Sequence, residues 1–201
     1  GSGTVTGISV GGLPDGIVDS GTIAANTVVA ADIAILQTTA TSNIGLGANA
    51  VDSITTGDYN VGVGDNALTA ATTGTRNDAF GYEAGRALTT GAYNTFIGER
   101  AGTSQTTASE NVAVGSASLS ANTTGTGIVA IGKNALAANT TGHSNIAIGY
   151  YALDAQVAVS DTVAIGRHAL GANVSGVKNT AIGHEALKAC VGDNNTAVGY
   201  L

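Results

Sequence analysis

Along residues 43–201 the hydrophobic positions follow neither a helical period nor a long alternation; they recur as short clusters, separated by turn residues, at a fixed interval. An apolar residue followed by glycine stands at Leu46-Gly47, Val63-Gly64, Phe80-Gly81, Ile97-Gly98, Val114-Gly115, Ile131-Gly132, Ile148-Gly149, Ile165-Gly166 and Ile182-Gly183, each glycine seventeen positions after the last, and Val198-Gly199 follows one position sooner. Four positions before this repeat glycine an asparagine recurs, from Asn43 to Asn179, with Ile128 and Thr162 as exceptions. Two before it the residue is Gly or Ala except at Phe96. Three after it comes Ala or Ser, and four after it most often Leu, as in Leu68, Leu119, Leu136, Leu153, Leu170 and Leu187. A second glycine, often preceded by two threonines, lies seven before it at Gly57, Gly74, Gly91, Gly125, Gly142 and Gly176.

The stretch from asparagine to glycine, such as Asn145-Ile-Ala-Ile-Gly149, alternates and is rich in β-branched residues, which predicts a short strand. The Ala-Leu stretch predicts a second, shorter extended piece, and two glycine-marked turns use up the rest of the repeat without room for a helix. The predicted fold is therefore all-β: a parallel β-solenoid, or β-roll, of about ten coils stacked in register. The large residues before the glycine, Ile131, Ile148, Ile165 and Ile182, are expected inside with the Leu column, and Gly132, Gly149, Gly166 and Gly183 at the turns. The alanine column is then expected on the opposite strand face. An apolar second face implies a close partner, so Ala147, Ala164 and Ala181 are expected to form the contact between copies of the chain.

Composition agrees with a repeat. Among 201 residues there are 35 Ala, 30 Gly, 27 Thr and 16 Asn, with one Pro and one Cys. At 43% apolar and 10% charged the chain does not have the composition of a disordered polymer, and Cys190 alone excludes a disulfide scaffold. No apolar run is long enough to cross a bilayer, so membrane insertion is not expected. The net charge of −7, with only seven Lys and Arg, argues against a nucleic-acid partner.

The repeats Asn145-Ile-Ala-Ile-Gly149, Thr162-Val-Ala-Ile-Gly166 and Asn179-Thr-Ala-Ile-Gly183 resemble the head repeats of YadA-type trimeric autotransporter adhesins. The longer unit Thr140-Thr-Gly-His-Ser-Asn-Ile-Ala-Ile-Gly-Tyr-Tyr-Ala-Leu153 is more similar still to repeats of bacteriophage tail fibre proteins. The resemblance covers residues 43–201. It implies a left-handed roll, a homotrimer about the fibre axis, and a place on a surface appendage. The period is longer than is usual in adhesin heads and no coiled-coil stalk or anchor is present, which shifts the expectation to a virion tail fibre engaged in host attachment, with a bacterial cell-surface adhesin head as the alternative. The expected partners are the chain itself, other virion or fibre proteins, and host cell-surface polysaccharide or protein. The chain ends within a repeat, as a piece of a longer fibre would. Residues 1–42 lack the register; Leu13-Pro-Asp-Gly16 is a turn signature, and the segment is expected to be an extended attachment or shaft region, or a linker.

Candidate chemistry is sparse. Gly45-Leu-Gly47 and Gly62-Val-Gly64 lack the third glycine, helix or Lys-Ser/Thr pair of a nucleotide site. His143, His168 and His184 fall at different points of the repeat and are not expected to share a metal. Acidic residues such as Glu83, Glu99 and Glu185 lie in separate coils rather than as the facing pair that glycoside hydrolysis needs. Neither a catalytic residue nor a cofactor is expected. Thr73, Thr90, Thr107, Thr124 and Thr141 recur at the repeat interval and raise an ice-binding alternative, although their Thr-Thr-Gly setting suits a structural stack better. The two positions after the repeat glycine vary most, and the aromatic residues there, Tyr82, Tyr150 and Tyr151, are the candidate receptor contacts.

Overall fold

The computed structural model describes residues 42–200. The expectation for the amino-terminal segment, apart from Ser42, lies outside the described residues. Ten three-residue strands follow one another: β1 (Ile44–Leu46), β2 (Val61–Val63), β3 (Asp78–Phe80), β4 (Thr95–Ile97), β5 (Val112–Val114), β6 (Val129–Ile131), β7 (Ile146–Ile148), β8 (Val163–Ile165), β9 (Thr180–Ile182) and β10 (Thr196–Val198). They form one parallel sheet in chain order, each residue paired with its equivalent in the next coil, as Ala130 with Ala147 and Ala147 with Ala164. The described residues thus form a β-solenoid. Ten strands at about 4.8 Å spacing span roughly 43 Å.

The shorter last step keeps this register, with Ala197 opposite Ala181. The missing residue falls at the Thr-Thr corner, where Cys190-Val191-Gly192 replaces Asn173-Val174-Ser175-Gly176.

Three positions per coil hold left-handed backbone, and except at Gly85, Gly102 and Gly127 the residue there is not glycine, for example Tyr59, Asn66 and Leu68 at φ 60°, 60° and 51°. Left-handed backbone costs an ordinary residue about 1–2 kcal/mol. Here each such turn aims its N–H at a neighbouring coil: Asn66 donates to the Ala48 carbonyl at 2.7 Å and Leu68 to that of Ala84 at 3.0 Å. The turns are therefore part of the ladder. The repeat glycines are fixed more tightly, because a Cβ on Gly149 (φ 137°) would stand 2.5 Å from the Gly166 carbonyl oxygen.

The interior is arranged differently from the sequence-based expectation. Ala147, Ala164 and Ala181, expected on the outer contact face, are fully buried within the single chain. The flanking residues expected in the core point outward: Ile131 and Ile182 are exposed, Ile148 and Ile165 half-buried. The reason is geometric. Between strand and Leu column lie the repeat glycine and a left-handed residue, and two consecutive positions, such as Ala152 and Leu153, both face inward. Alternation therefore does not carry through the bend. In so short a coil the strand faces the leucines across a narrow lumen that admits only small side chains. Gly132, Gly149, Gly166 and Gly183 do occupy the bends that follow each strand.

The exception supports this account. Phe96 occupies the small-residue column of β4 and is completely buried. The Leu column on its own and the preceding coil is emptied for it: Gly85 and Gly102 stand there, and a Cβ on either would come within 2.6 Å and 2.5 Å of the Phe96 ring. Volume moves from one wall of the lumen to the other.

Two polar columns complete the core. Asn60 Nδ2 donates to Asn43 Oδ1 at 3.0 Å and to the Gly74 carbonyl at 2.9 Å, while the Asn60 N–H reaches the same Asn43 oxygen at 2.8 Å. The pattern repeats through Asn77 and Asn94, linking each coil to the one before. The column seven after the repeat glycine is also internal: Ile54, Ala71 and Leu88 give way to Gln105, Asn122, Asn139, Gln156 and Asn173, all buried. The two columns cover for one another. Where Ile128 and Thr162 break the ladder, the carbonyls of Gly142 and Gly176 receive Asn139 Nδ2 at 3.2 Å and Asn173 Nδ2 at 2.8 Å instead.

Candidate functional site

With the lumen filled by the chain itself, chemistry is available only on the outer faces. The strand face carries two columns of side chains, all Val, Ile, Leu or Phe except Asp78, Thr95, Thr180 and Thr196. Ile44, Leu46, Phe80, Ile97, Ile131, Ile182 and Val198 are among its exposed large apolar residues. The result is an apolar band, two residues wide and interrupted in one column at those four positions, running the length of the sheet. Its footprint of roughly 10 Å by 43 Å matches the largest apolar patches of ordinary monomers, which are commonly functional.

The next face holds the two positions after the repeat glycine. Tyr150 and Tyr151 meet edge to face with ring centroids 4.4 Å apart, and Tyr151 stacks on His168 of the next coil at 5.5 Å. Arg167 lies 6.0 Å from the Tyr150 ring centroid, and its Nη1 is 3.4 Å from His184 Nε2. His184 in turn stacks on Tyr200 at 5.1 Å. The structure brings Tyr150 and Tyr151 together and leaves Tyr82 apart, four coils away on the same face. Tyr82 and Tyr150 are exposed and Tyr151 half-buried.

Beside Tyr82 two arginines pair with one carboxylate. The nearly covered Glu83 accepts from Arg86 Nη1 at 3.3 Å and Arg100 Nε at 3.1 Å, and Arg100 lies 6.0 Å from the Tyr82 ring centroid. Burial alone would raise the Glu83 carboxyl pKa, but hydrogen bonding to Arg100 and Tyr82 and the charges of both arginines hold it below the ordinary carboxylate value. Bonding to Lys188 at 3.0 Å likewise lowers Glu185. Asp154 is raised by burial.

A third outer feature lies on the column five before the repeat glycine. Arg76 is sandwiched between Tyr59 and Tyr93, 5.3 Å from each ring centroid, with Nη1 donating to Tyr93 Oη at 3.1 Å. The sequence expectations did not include these residues, although they stand one repeat apart in a single column. The threonines divide into two roles. The first of each pair accepts or donates within the ladder, as Thr72 Oγ1 donates to the Thr89 carbonyl at 3.2 Å, and the second, including Thr73, Thr90, Thr107, Thr124 and Thr141, forms an exposed row.

Among the described residues no three His, Cys, Asp or Glu side chains converge as metal ligands would, and no helix is long and apolar enough to cross a membrane. No family model, curated protein or solved structure matches this chain.

Proposed function

We propose that this chain is a structural and adhesive segment of a homotrimeric surface fibre, a bacteriophage tail fibre engaged in host attachment. The observation that carries the proposal is the apolar band on the outer side of β1 to β10. A rod whose lumen is already packed gains nothing for its own fold from an unbroken outer column of large apolar residues from Leu46 to Val198, whereas parallel copies of the same rod would bury that column along its whole length. The contact between copies is therefore assigned to the Val/Ile columns and not to the alanines inside. Multivalency is the mode of action: three chains and many coils add weak contacts to host-surface and fibre partners into firm attachment. Catalysis has no place in this reading.

The test is mass and shape. Light scattering and negative-stain microscopy of the purified chain are expected to give a trimer and a slender rod. A monodisperse monomer at micromolar concentration rejects the proposal.

A further inference from the structure

We propose that the face following the repeat glycine binds an acidic polysaccharide, laid along the solenoid axis across the coils of β7 to β10. The inference rests on the adhesive reading above and gives it a ligand class. Tyr150, Tyr151, Arg167, His168, His184 and Tyr200 form one contiguous patch through the ring and hydrogen-bond contacts already described. Rings standing on successive coils repeat at about 4.8 Å, close to the length of one sugar unit in an extended chain. Tyr150, exposed and edge-on to Tyr151 and His168, offers its ring to the C–H face of such a sugar, and the tyrosine hydroxyls suit ring substituents.

Charge selects an acidic chain. The whole protein carries −7, yet in the two columns of this patch the one carboxylate, Glu185, is occupied by Lys188. The three ion pairs among the described residues leave out Arg167, whose guanidinium meets the Tyr150 ring and His184. A guanidinium held by an aromatic neighbour, with N–H donors to spare, is arranged for a carboxylate or other acidic sugar substituent. Lys133 occupies the same face one coil before Tyr150 and extends the basic track. Lys133 and Arg167 set two cations along a run of aromatic side chains on this face, a combination that matches the carboxylates and sugar rings of an acidic glycan.

Titration calorimetry of the full chain with polygalacturonate tests this, with dextran as the neutral polymer. The wild-type protein is expected to bind polygalacturonate, more weakly as salt is added, and to bind dextran far less. Arg167→Glu is expected to weaken binding by about tenfold or more, what one charge-assisted contact is worth, and Tyr150→Ala to weaken it as well. Arg76→Glu, on another face, is expected to leave it unchanged. Absence of binding to polygalacturonate, equal binding of dextran, or equal losses in the Arg167 and Arg76 variants would overturn the proposal. Light scattering on the same samples separates the two readings: a trimer that ignores the glycan rejects only this site, and a monomer that binds it rejects only the fibre.

Discussion

Ala147→Glu and Ile148→Glu place the same side chain one residue apart in β7, on opposite faces of the sheet, and the structure assigns them different consequences. Ala147 is fully buried between Ala130 and Ala164 in neighbouring coils, so a carboxylate there has no water and no cation to pair with. An uncompensated buried charge costs about 3–5 kcal/mol, which in a chain of this size, at ~2–4 °C per kcal/mol, lowers the melting temperature by about 6–20 °C. Because each coil is stabilised mainly by its neighbours, a defect at β7 also uncouples the two halves of the rod. Ile148 is half-buried on the outer face, where a glutamate remains solvated and costs the single chain little, about 0.5 kcal/mol. Its effect should fall on assembly. The assay is far-UV circular dichroism against temperature at several protein concentrations, with mass from light scattering. Ala147→Glu is expected to melt early at every concentration. Ile148→Glu is expected to retain the β spectrum and lose mass. If Ala147→Glu melts with the wild type while Ile148→Glu unfolds the isolated chain, the assignment of strand faces is wrong.

Four further outcomes follow from the packing. Phe96→Ala opens a cavity costing about 3–5 kcal/mol, and adding Gly85→Leu and Gly102→Leu should recover much of it, read as partial return of the melting temperature; no recovery would refute the exchange of volume between the two walls. The side-chain amide of Gln156 is buried with no hydrogen-bond partner among the described residues, in a column that elsewhere holds Leu88 and Ile54, so Gln156→Leu should stabilise by about 1–3 kcal/mol in denaturant melts. Asn139→Ala should cost about 1 kcal/mol more than Asn122→Ala, since Asn122 shares the Gly125 carbonyl with Asn111 whereas Asn139 alone covers that of Gly142; equal losses would contradict this. Glu83, whose carboxyl pKa is lowered in the folded chain, contributes stability that is present above the ordinary carboxylate pKa and fades as pH falls through the lowered one; the melting-temperature gap between wild type and Glu83→Gln should therefore close in acid, and a gap independent of pH would exclude the linkage.

The sequence by itself determined the period, the class and the ladder. A glycine recurring at so short an interval, with Asn four before it, admits only a short strand and turns, and identical coils stacked in register place like residues over like, which is why strands, Asn ladder and Leu column were all legible. The same columns hinted at the strand faces: Asp78 and Thr95 stand in one column with Ile44 and Val61, and a charge in a column marks it as outward. The column of Ala, Gly and one Phe has no such polar member.

Tertiary structure alone decided which way the strand faces, because sidedness is lost across a glycine near φ 130° and across left-handed residues as unlikely in isolation as Leu136 and Leu153. It also decided the partnerships within and between coils: Phe96 with Gly85 and Gly102, Asn139 standing in for an Asn at Ile128, Arg76 between Tyr59 and Tyr93, and Arg167 beside His184. These pairs fall in different columns of the repeat or join residues of unlike type, so the repeat alone does not announce them. A repeat tells which positions stack; only closure of the coil around a lumen of fixed width tells which side of the wall each column occupies, and what room is left for its neighbours.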